Sequence, residues 1–320
     1  METSHTCLVE IRGMEIAEKS LVAFQNYTIT NYVVTRLKEL ELHYDSGKFL
    51  EIFGSGDSSK IKDGNVFMIV NVFKDFNQNQ IQNHILSVLT NLWRIKDNSV
   101  HTGQFFYIPC DPKGTDYYRG TMPIIYNSIG SINTTDFSHA DFTNLLSYVR
   151  ELQSWPSKLQ VDYSKEMEGG ELGLWQKVIN YKDLHRVERA MAFITNARSV
   201  GLLPLKITNY IASLECLFST SHRFVKKNTS ERTSLFLLHH NNADKVPTHD
   251  FIQECYKIRS EYIHGSELEN DLNYEEFNSV SIDLDEICRK VMNNILSKGL
   301  FLFIGSTTDI DDYFDGIGPY

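Results

Sequence analysis

The sequence contains no long hydrophobic run. Its longest apolar stretches, residues 66–70 and 300–304, are far shorter than the roughly 20 residues that a membrane-spanning helix needs. The first residues carry no basic segment followed by an apolar one, which a secretory signal would require. We therefore expect a cytoplasmic protein that does not interact with a membrane.

Cysteine is scarce, and the five cysteines are odd in number and far apart. They are Cys7, Cys110, Cys216, Cys255 and Cys288. This pattern does not favour a disulfide framework or a zinc knuckle. The histidines His239, His240 and His249 have no spacing typical of a metal-ligand set, and Gly54-Ser55-Gly56 lacks the lysine of a phosphate-binding loop. The sequence therefore predicts neither a metal site nor a cofactor.

The chain has an excess of negative charge, with 41 Asp+Glu against 31 Lys+Arg and a formal net charge of −10. Such a chain is a poor general binder of nucleic acid. The charge is uneven, however, since residues 181–265 hold 12 Lys+Arg and 8 Asp+Glu, a net charge of +4. Here Arg223, Lys226 and Lys227 are candidates for contacts with RNA phosphates. The alternative is that these three side chains form only a solvated face between a helix and a loop.

The first half of the chain has the pattern of mixed strands and helices. Short runs rich in β-branched and aromatic residues alternate there with segments of helical periodicity. The strand-like runs are residues 5–16, 23–35, 65–73 and 103–109, and the helical segments are residues 80–94 and 140–155. We predict an α+β domain over residues 1–165 that senses a trigger, restrains the second domain or selects its substrate.

The second half has the pattern of a helical bundle. Residues 162–173 are polar and contain three glycines, which is typical of a domain boundary. Beyond them the 3.6-residue period dominates, and we predict an all-α bundle over residues 172–300. One helix should begin at Pro204, because proline suits the first helical position, and a short one should open at Ser230. Residues 301–320 contain four aspartates and are predicted to form a solvated acidic tail.

The most informative stretch is residues 251–265, FIQECYKIRSEYIHG. On a helix with about 100° per residue its apolar side chains form one arc, and Arg259 lies inside that arc. A guanidinium in such a position needs a carboxylate or a bound anion, because an unpaired buried charge is costly. A buried pair with Glu215 is one possibility.

His264 lies about 140° from Arg259 around the helix and is followed by Gly265, as expected at a helix C-terminus. The two side chains do not meet on one face of an ideal helix. Either the helix end is distorted or a second copy of the chain completes the site.

The segment Arg259-Ser-Glu-Tyr-Ile-His264-Gly265 resembles the Arg-x4–6-His signature of the HEPN superfamily, and especially the Arg-Ser-x-x-x-His-Gly form of its Apea-like branch. The resemblance extends upstream. Residues 197–218 include Leu-Glu-Cys-Leu, which is similar to the Leu-Glu-x-Leu helix of that branch, and residues 230–235 resemble its next short helix. The match covers residues 184–297 and leaves the first half of the chain without a recognised family.

The resemblance implies a HEPN-like bundle of four to five helices that commonly dimerises. It also implies metal-independent endoribonuclease activity, often in bacterial antiphage or toxin systems, with RNA as substrate and an antitoxin or phage-derived trigger as a possible partner. By this resemblance Arg259 holds the scissile phosphate and His264 acts as general acid or base. Ser260 would be a weaker auxiliary donor than the larger polar residue frequent in the superfamily, and Glu215 would support Arg259.

The chemistry of RNA cleavage without a metal is consistent with these residue types. The 2′-hydroxyl attacks the adjacent phosphate, and the reaction needs a proton acceptor, a proton donor and a cation. Histidine suits proton transfer near neutral pH, and arginine stays charged and matches phosphate oxygens as a fork. Two chains around a two-fold axis would supply two residues of each type, giving 2′,3′-cyclic phosphate and 5′-hydroxyl ends. The alternative is a non-catalytic dimerisation or nucleic-acid-binding module in which Arg259 serves a buried ion pair.

Overall fold

The chain divides into two compact units, Met1–Arg150 and Glu151–Tyr320. The computed structural model describes residues 3–16, 22–26, 30–36, 66–73, 78–109, 118–121, 124–155, 184–240, 249–265 and 272–317. The predicted boundary at residues 162–173 lies outside this described part. The predicted class, an α+β segment followed by helices, is confirmed. No helix in the described ranges has the length and apolar character needed to cross a membrane.

In its described residues, the first unit contains a six-stranded sheet in the order β3-β4-β5-β1-β6-β7, with antiparallel neighbours, and a separate parallel pair of β2 and β8. The predicted strand and helix runs are confirmed where the structure describes them, whereas β7 and β8 were not predicted. The elements are β1 (Thr3–Arg12), β2 (Met14–Ile16), β3 (Val22–Asn26), β4 (Thr30–Arg36), β5 (Val66–Phe73), α1 (Gln78–Ile95), β6 (His101–Pro109), β7 (Tyr118–Thr121), β8 (Thr135–Phe137) and α2 (His139–Ser154).

One face of this sheet is covered by helices. Alternate residues of β1, such as Val9, pack in one buried cluster with Leu92 of α1 and Phe142 of α2. The backbone conformation between β1 and β2 requires a glycine. Gly13 has φ +73°, and a Cβ atom there would lie 2.9 Å from the carbonyl oxygen of Ser99.

The second unit, in its described residues, is helical and is centred on α4. Helix α4 packs against α3, α6 and α7, and α5 packs against α6. The apolar residues Ile207, Ile211, Leu214 and Phe218 of α4 are all buried, and Pro204 lies in its first turn as predicted. The elements are α3 (Arg186–Arg198), α4 (Leu203–Phe218), α5 (Val225–His239), α6 (His249–His264), α7 (Tyr274–Ser297), a 3₁₀ turn (Phe301–Ile304) and α8 (Thr307–Ile317).

The predicted start of the fifth helix was wrong. Helix α5 begins at Val225 rather than at Ser230, which is buried inside the helix. The residue before it, Phe224, has a left-handed backbone (φ 58°) and gives no side-chain cap. Because the start lacks a capping side chain, the sequence carries no signal for it.

The prediction of a solvated acidic tail was also wrong. Residues 301–317 form the 3₁₀ turn and α8, and Phe303, Ile310 and Phe314 are buried. The rings of Phe303 and Phe314 each lie 5.8 Å from the ring of Phe218 in α4. Two apolar residues four positions apart are enough to bury one face of α8. The prediction missed this face because the aspartates dominate the sequence of this segment.

A carboxylate of α8 fixes this segment to the preceding helices. Asp311 accepts a hydrogen bond from Thr220 (2.8 Å) and forms an ion pair with Arg232 of α5. Burial opposes ionisation of Asp311, but these hydrogen bonds and the charge of Arg232 outweigh it and hold the pKa of the carboxyl below its ordinary value.

A network of buried polar side chains joins α4 to α7. The hydroxyl of Tyr210 donates a hydrogen bond of 2.6 Å to Asp285, and Arg289 donates one of 2.8 Å to the other carboxylate oxygen. Asp285 is fully buried. Burial, followed by the charge of Asp285, raises the pKa of Tyr210, so this phenol stays protonated and acts as a donor.

The imidazole of His240, directly after α5, is neutral. Lys298 donates to its Nδ1 (2.7 Å), which leaves the proton on Nε2, 3.1 Å from the hydroxyl of Tyr313. Burial, the charge of Lys298 and the neighbouring His239 lower the pKa of His240 to about 4.

We expect this histidine to make stability depend on pH. An unfolded histidine titrates near pH 6.5, so the unfolded state binds the extra proton between about pH 6.5 and 4. The free energy of unfolding should be highest above this window and should fall by about 1–2 kcal/mol as the pH falls through it. Urea unfolding at several pH values should show a flatter profile for His240→Gln than for wild type or His239→Gln. Identical profiles for the three proteins would contradict this assignment.

Candidate functional site

Helix α6 carries the segment from Arg259 to His264 as one uninterrupted helix. Its residues Ile252, Cys255 and Ile258 are buried, and α6 packs against α4 and α5. The hydrophobic period that predicted an apolar arc therefore sets the rotation of the helix about its axis. The arc is shorter than predicted, since Ile263 near the helix end is 50% exposed.

Arg259 lies opposite Glu215 of α4, as the sequence suggested. The distance from Nη2 of Arg259 to Oε2 of Glu215 is 3.6 Å, and the two side chains are 31% and 20% exposed. This distance is an ion-pair contact that is too long for a good hydrogen bond. The Nε atom of Arg259 is buried and has no hydrogen-bond partner within the part of the chain that the structure describes. Glu215 therefore compensates the charge of the guanidinium but leaves part of its donor capacity unused.

His264 is the last residue of α6, and its side chain is exposed. Gly265 follows with φ +68° and ends the helix. Because the helix is continuous, His264 lies about 140° around the axis and about 7.5 Å along it from Arg259. A distorted helix end is thus ruled out, and the two residues lie on different faces of α6.

A cleft of about 590 Å³ opens on one side of Arg259. We call it the first cleft, and its lining includes Arg186, Arg189, Phe193, Glu215, His222 and Arg259. Arg186 donates to the carbonyl oxygens of Cys216 (2.9 Å) and Ser219 (2.6 Å), which lie at the C-terminal end of α4. These bonds hold the guanidinium in place and satisfy a carbonyl group that the helix itself leaves unpaired.

The charge of the first cleft is mainly positive. Burial lowers the pKa of Arg186, and the nearby charge of Arg189 lowers it further. Three guanidiniums, from Arg186, Arg189 and Arg259, share the cleft with one carboxylate, that of Glu215. Such a cleft favours an anion.

A second cleft, also of about 590 Å³, shares Glu215, Val225 and Arg259 with the first. Its other lining residues are Lys226, Tyr256, Lys257 and Ser260. Burial and then the charge of Glu215 raise the pKa of Tyr256, so its phenol remains protonated at neutral pH. Arg259 is therefore the cation common to two clefts.

The three residues predicted to contact phosphates differ in their position relative to the two clefts. Lys226 lines the second cleft, whereas Arg223 and Lys227 line neither cleft. All three are exposed, and Lys227 lies 3.6 Å from Glu231 one turn along α5. Ser260 is exposed at the second cleft, next to Arg259.

Sequence reasoning missed Arg186 and Arg189. They lie on α3, and only the packing of α3 against α4 brings them to the first cleft. The one available signal was the net positive charge of residues 181–265. Within the described residues, no group of three or more His, Cys, Asp or Glu side chains is arranged to hold a metal ion.

Comparisons with protein-family profiles, with curated proteins and with solved structures found no match to this chain.

Proposed function

We propose that this protein is a homodimeric, metal-independent endoribonuclease whose second unit is a HEPN-like helical bundle. It acts in the cytoplasm of a bacterium, in antiphage defence or as a toxin. The first unit senses a phage-derived trigger or selects the RNA. An antitoxin is a further partner in this proposal. The sequence motif of α6 and the geometry around Arg259 support this proposal.

The observation that carries the proposal is the incomplete pairing of Arg259 between two clefts. A structural arginine is normally satisfied by close hydrogen bonds from its forked donors. Among the described residues, the ion-pair contact of Arg259 is the one with Glu215 at 3.6 Å, and no hydrogen-bond partner of its buried Nε is found there. The buried Nε is out of reach of a ligand, so a phosphate oxygen at the junction of the clefts would be an acceptor for the terminal nitrogens of the partly exposed guanidinium.

The position of His264 supports a site formed by two copies. Its ring is exposed at the end of α6 and lines neither cleft of its own chain. In a two-fold dimer the histidine of each copy can reach the phosphate held by the arginines. One histidine takes the proton of the 2′-hydroxyl as its oxygen attacks phosphorus. The other protonates the 5′-oxygen as the phosphorus–oxygen bond breaks.

The experiment that tests the function compares two RNA substrates in the presence of EDTA. One is an ordinary RNA, and the other carries a single 2′-deoxynucleotide at the mapped cleavage position. We expect cleavage of the first, with 2′,3′-cyclic phosphate and 5′-hydroxyl ends, and no cleavage of the second at that position. Equal cleavage of both RNAs, or cleavage that EDTA abolishes, would contradict the mechanism.

A second candidate function is a non-catalytic dimerisation or nucleic-acid-binding module. The observation in its favour is that Arg259 and His264 are separated within one chain, while Arg259 has a carboxylate partner in Glu215. In that case RNA would bind and remain intact. Mutation of Arg259 would then lower stability or RNA affinity without changing any rate of cleavage.

A further inference from the structure

The first cleft contains more positive charge than the contact with one scissile phosphate requires. Arg189 is exposed and lies close enough to Arg186 for its charge to disfavour protonation of that guanidinium. No carboxylate of the described residues forms an ion pair with either arginine. The charge of Asp311 favours protonated Arg186, but that carboxylate forms its ion pair with Arg232. Like charges close together are unfavourable, and a bound anion in the cleft would relieve the repulsion between Arg186 and Arg189.

Arg186 and Arg189 are not equally available to such an anion. One terminal nitrogen of Arg186 already donates to the carbonyl oxygens of Cys216 and Ser219. This use fixes the position of Arg186 and limits its freedom to follow a ligand. Arg189 makes no such bond in the described structure, so its fork of donors is available to a phosphate.

The same cleft also has an apolar wall. Phe193 lies one turn after Arg189 on α3, is partly exposed, and lines the cleft together with Ala212 and Ile263. An aromatic ring beside cations is the arrangement that holds single-stranded nucleic acid, because every base has a face that stacks on an aromatic side chain. The volume of about 590 Å³ falls within the range of pockets that bind small molecules.

We propose that the first cleft binds the nucleotide next to the cleaved bond, with Arg189 contacting its phosphate and Phe193 contacting its base. This inference rests on the proposed function, since it assigns the scissile phosphate to Arg259 at the junction of the clefts. The second cleft then receives the nucleotide on the other side of that phosphate. The substrate is accordingly a single strand cut at an internal position, because a base held in a duplex could not turn into the cleft.

Binding can be tested separately from cleavage. The protein would carry His264→Ala to prevent turnover, and the probe would be a fluorescently labelled single-stranded RNA of about ten nucleotides in EDTA. In this background we expect Arg189→Gln to weaken binding by about tenfold, and Phe193→Leu by about five- to tenfold. Arg150→Gln, which also removes one exposed positive charge, should leave affinity unchanged.

Two further measurements separate a binding role from a structural one. Arg189→Lys should recover only part of the lost affinity, because lysine keeps the charge but not the fork. In the cleavage-competent protein, Arg189→Gln should raise KM more than it lowers kcat, and the melting temperature should not change. A duplex of the same sequence should bind no more tightly to wild type than to Arg189→Gln.

The outcomes distinguish the two proposals. If RNA is never cut but its binding depends on Arg189 and Phe193, the ribonuclease function is wrong and the nucleotide-binding cleft stands. If RNA is cut in a His264-dependent manner while both variants bind as tightly as the parent protein, the assignment of the first cleft is overturned. A loss of affinity as large for Arg150→Gln as for Arg189→Gln would also overturn it, because the effect would then be one of net charge.

Discussion

Replacement of His264 by alanine is expected to lower the rate of RNA cleavage by about 10²- to 10⁴-fold, which is the usual contribution of a general acid or base. The side chain is exposed at the end of α6, so its removal should change the free energy of unfolding by less than about 0.5 kcal/mol. A large loss of rate without a loss of stability separates a catalytic role from a structural one. The measurement is a cleavage time course in EDTA with a matched urea titration.

The chain provides a matched control for this variant. His239 is likewise the last residue of a helix, α5, and is likewise exposed. His239→Ala should therefore cleave RNA at the wild-type rate. Arg259→Ala should lose about 10²- to 10³-fold, as expected when a donor to the developing negative charge is removed. Equal activity of wild type, Arg259→Ala and His264→Ala would exclude both residues from the mechanism.

The second large effect concerns stability. Asp285→Ala is expected to lower the free energy of unfolding by about 3–5 kcal/mol, because it breaks a buried charge pair by removing one partner. The carboxylate is fully buried and accepts hydrogen bonds from Tyr210 (2.6 Å) and Arg289 (2.8 Å). Without it, the guanidinium of Arg289 and the hydroxyl of Tyr210 each lose a hydrogen-bond acceptor in the bundle core.

A neighbouring aspartate on the same helix serves as the control. Asp283 is largely exposed, but partial loss of solvent, followed by the charge of Glu286, raises the pKa of its carboxyl, so its negative charge is unfavourable in the folded state. Asp283→Ala should therefore leave stability unchanged or slightly higher. Both variants would be compared by urea unfolding at pH 7. Similar losses for the two variants would show that the Asp285 network contributes no more than an exposed charge.

The sequence could predict the helices and strands in which apolar residues recur at regular spacing. The strands of the first unit alternate, as Cys7, Val9 and Ile11 do on one face of β1, and α7 repeats its buried apolar residues at helical spacing from Leu284 to Leu296. The apolar arc of α6 also gave the location of Arg259 and the separation of His264 from it. These features depend on local spacing, which a single sequence displays.

The clefts could not be predicted in this way. Their lining comes from helices that are distant in the chain, and the packing that joins Arg189 to Arg259 leaves no local pattern. The start of α5 after Phe224 has no capping side chain, and the burial of α8 depends on Ile310 and Phe314 alone. In each case tertiary contacts decide the structure. For α8, the nearby aspartates had suggested a solvated segment.

The position of α8 also affects how a shortened form of this protein should be judged. Thr307, at its start, belongs to the wall of the first cleft, and Thr220, another wall residue, is hydrogen-bonded to Asp311. Ending the polypeptide at residue 300 would remove Phe303 and Phe314 from the aromatic cluster around Phe218 and would also reshape the wall. Loss of RNA cleavage or binding in such a truncated protein would then reflect a damaged cleft wall, and experiments on Arg259 and His264 should keep residues 301–317.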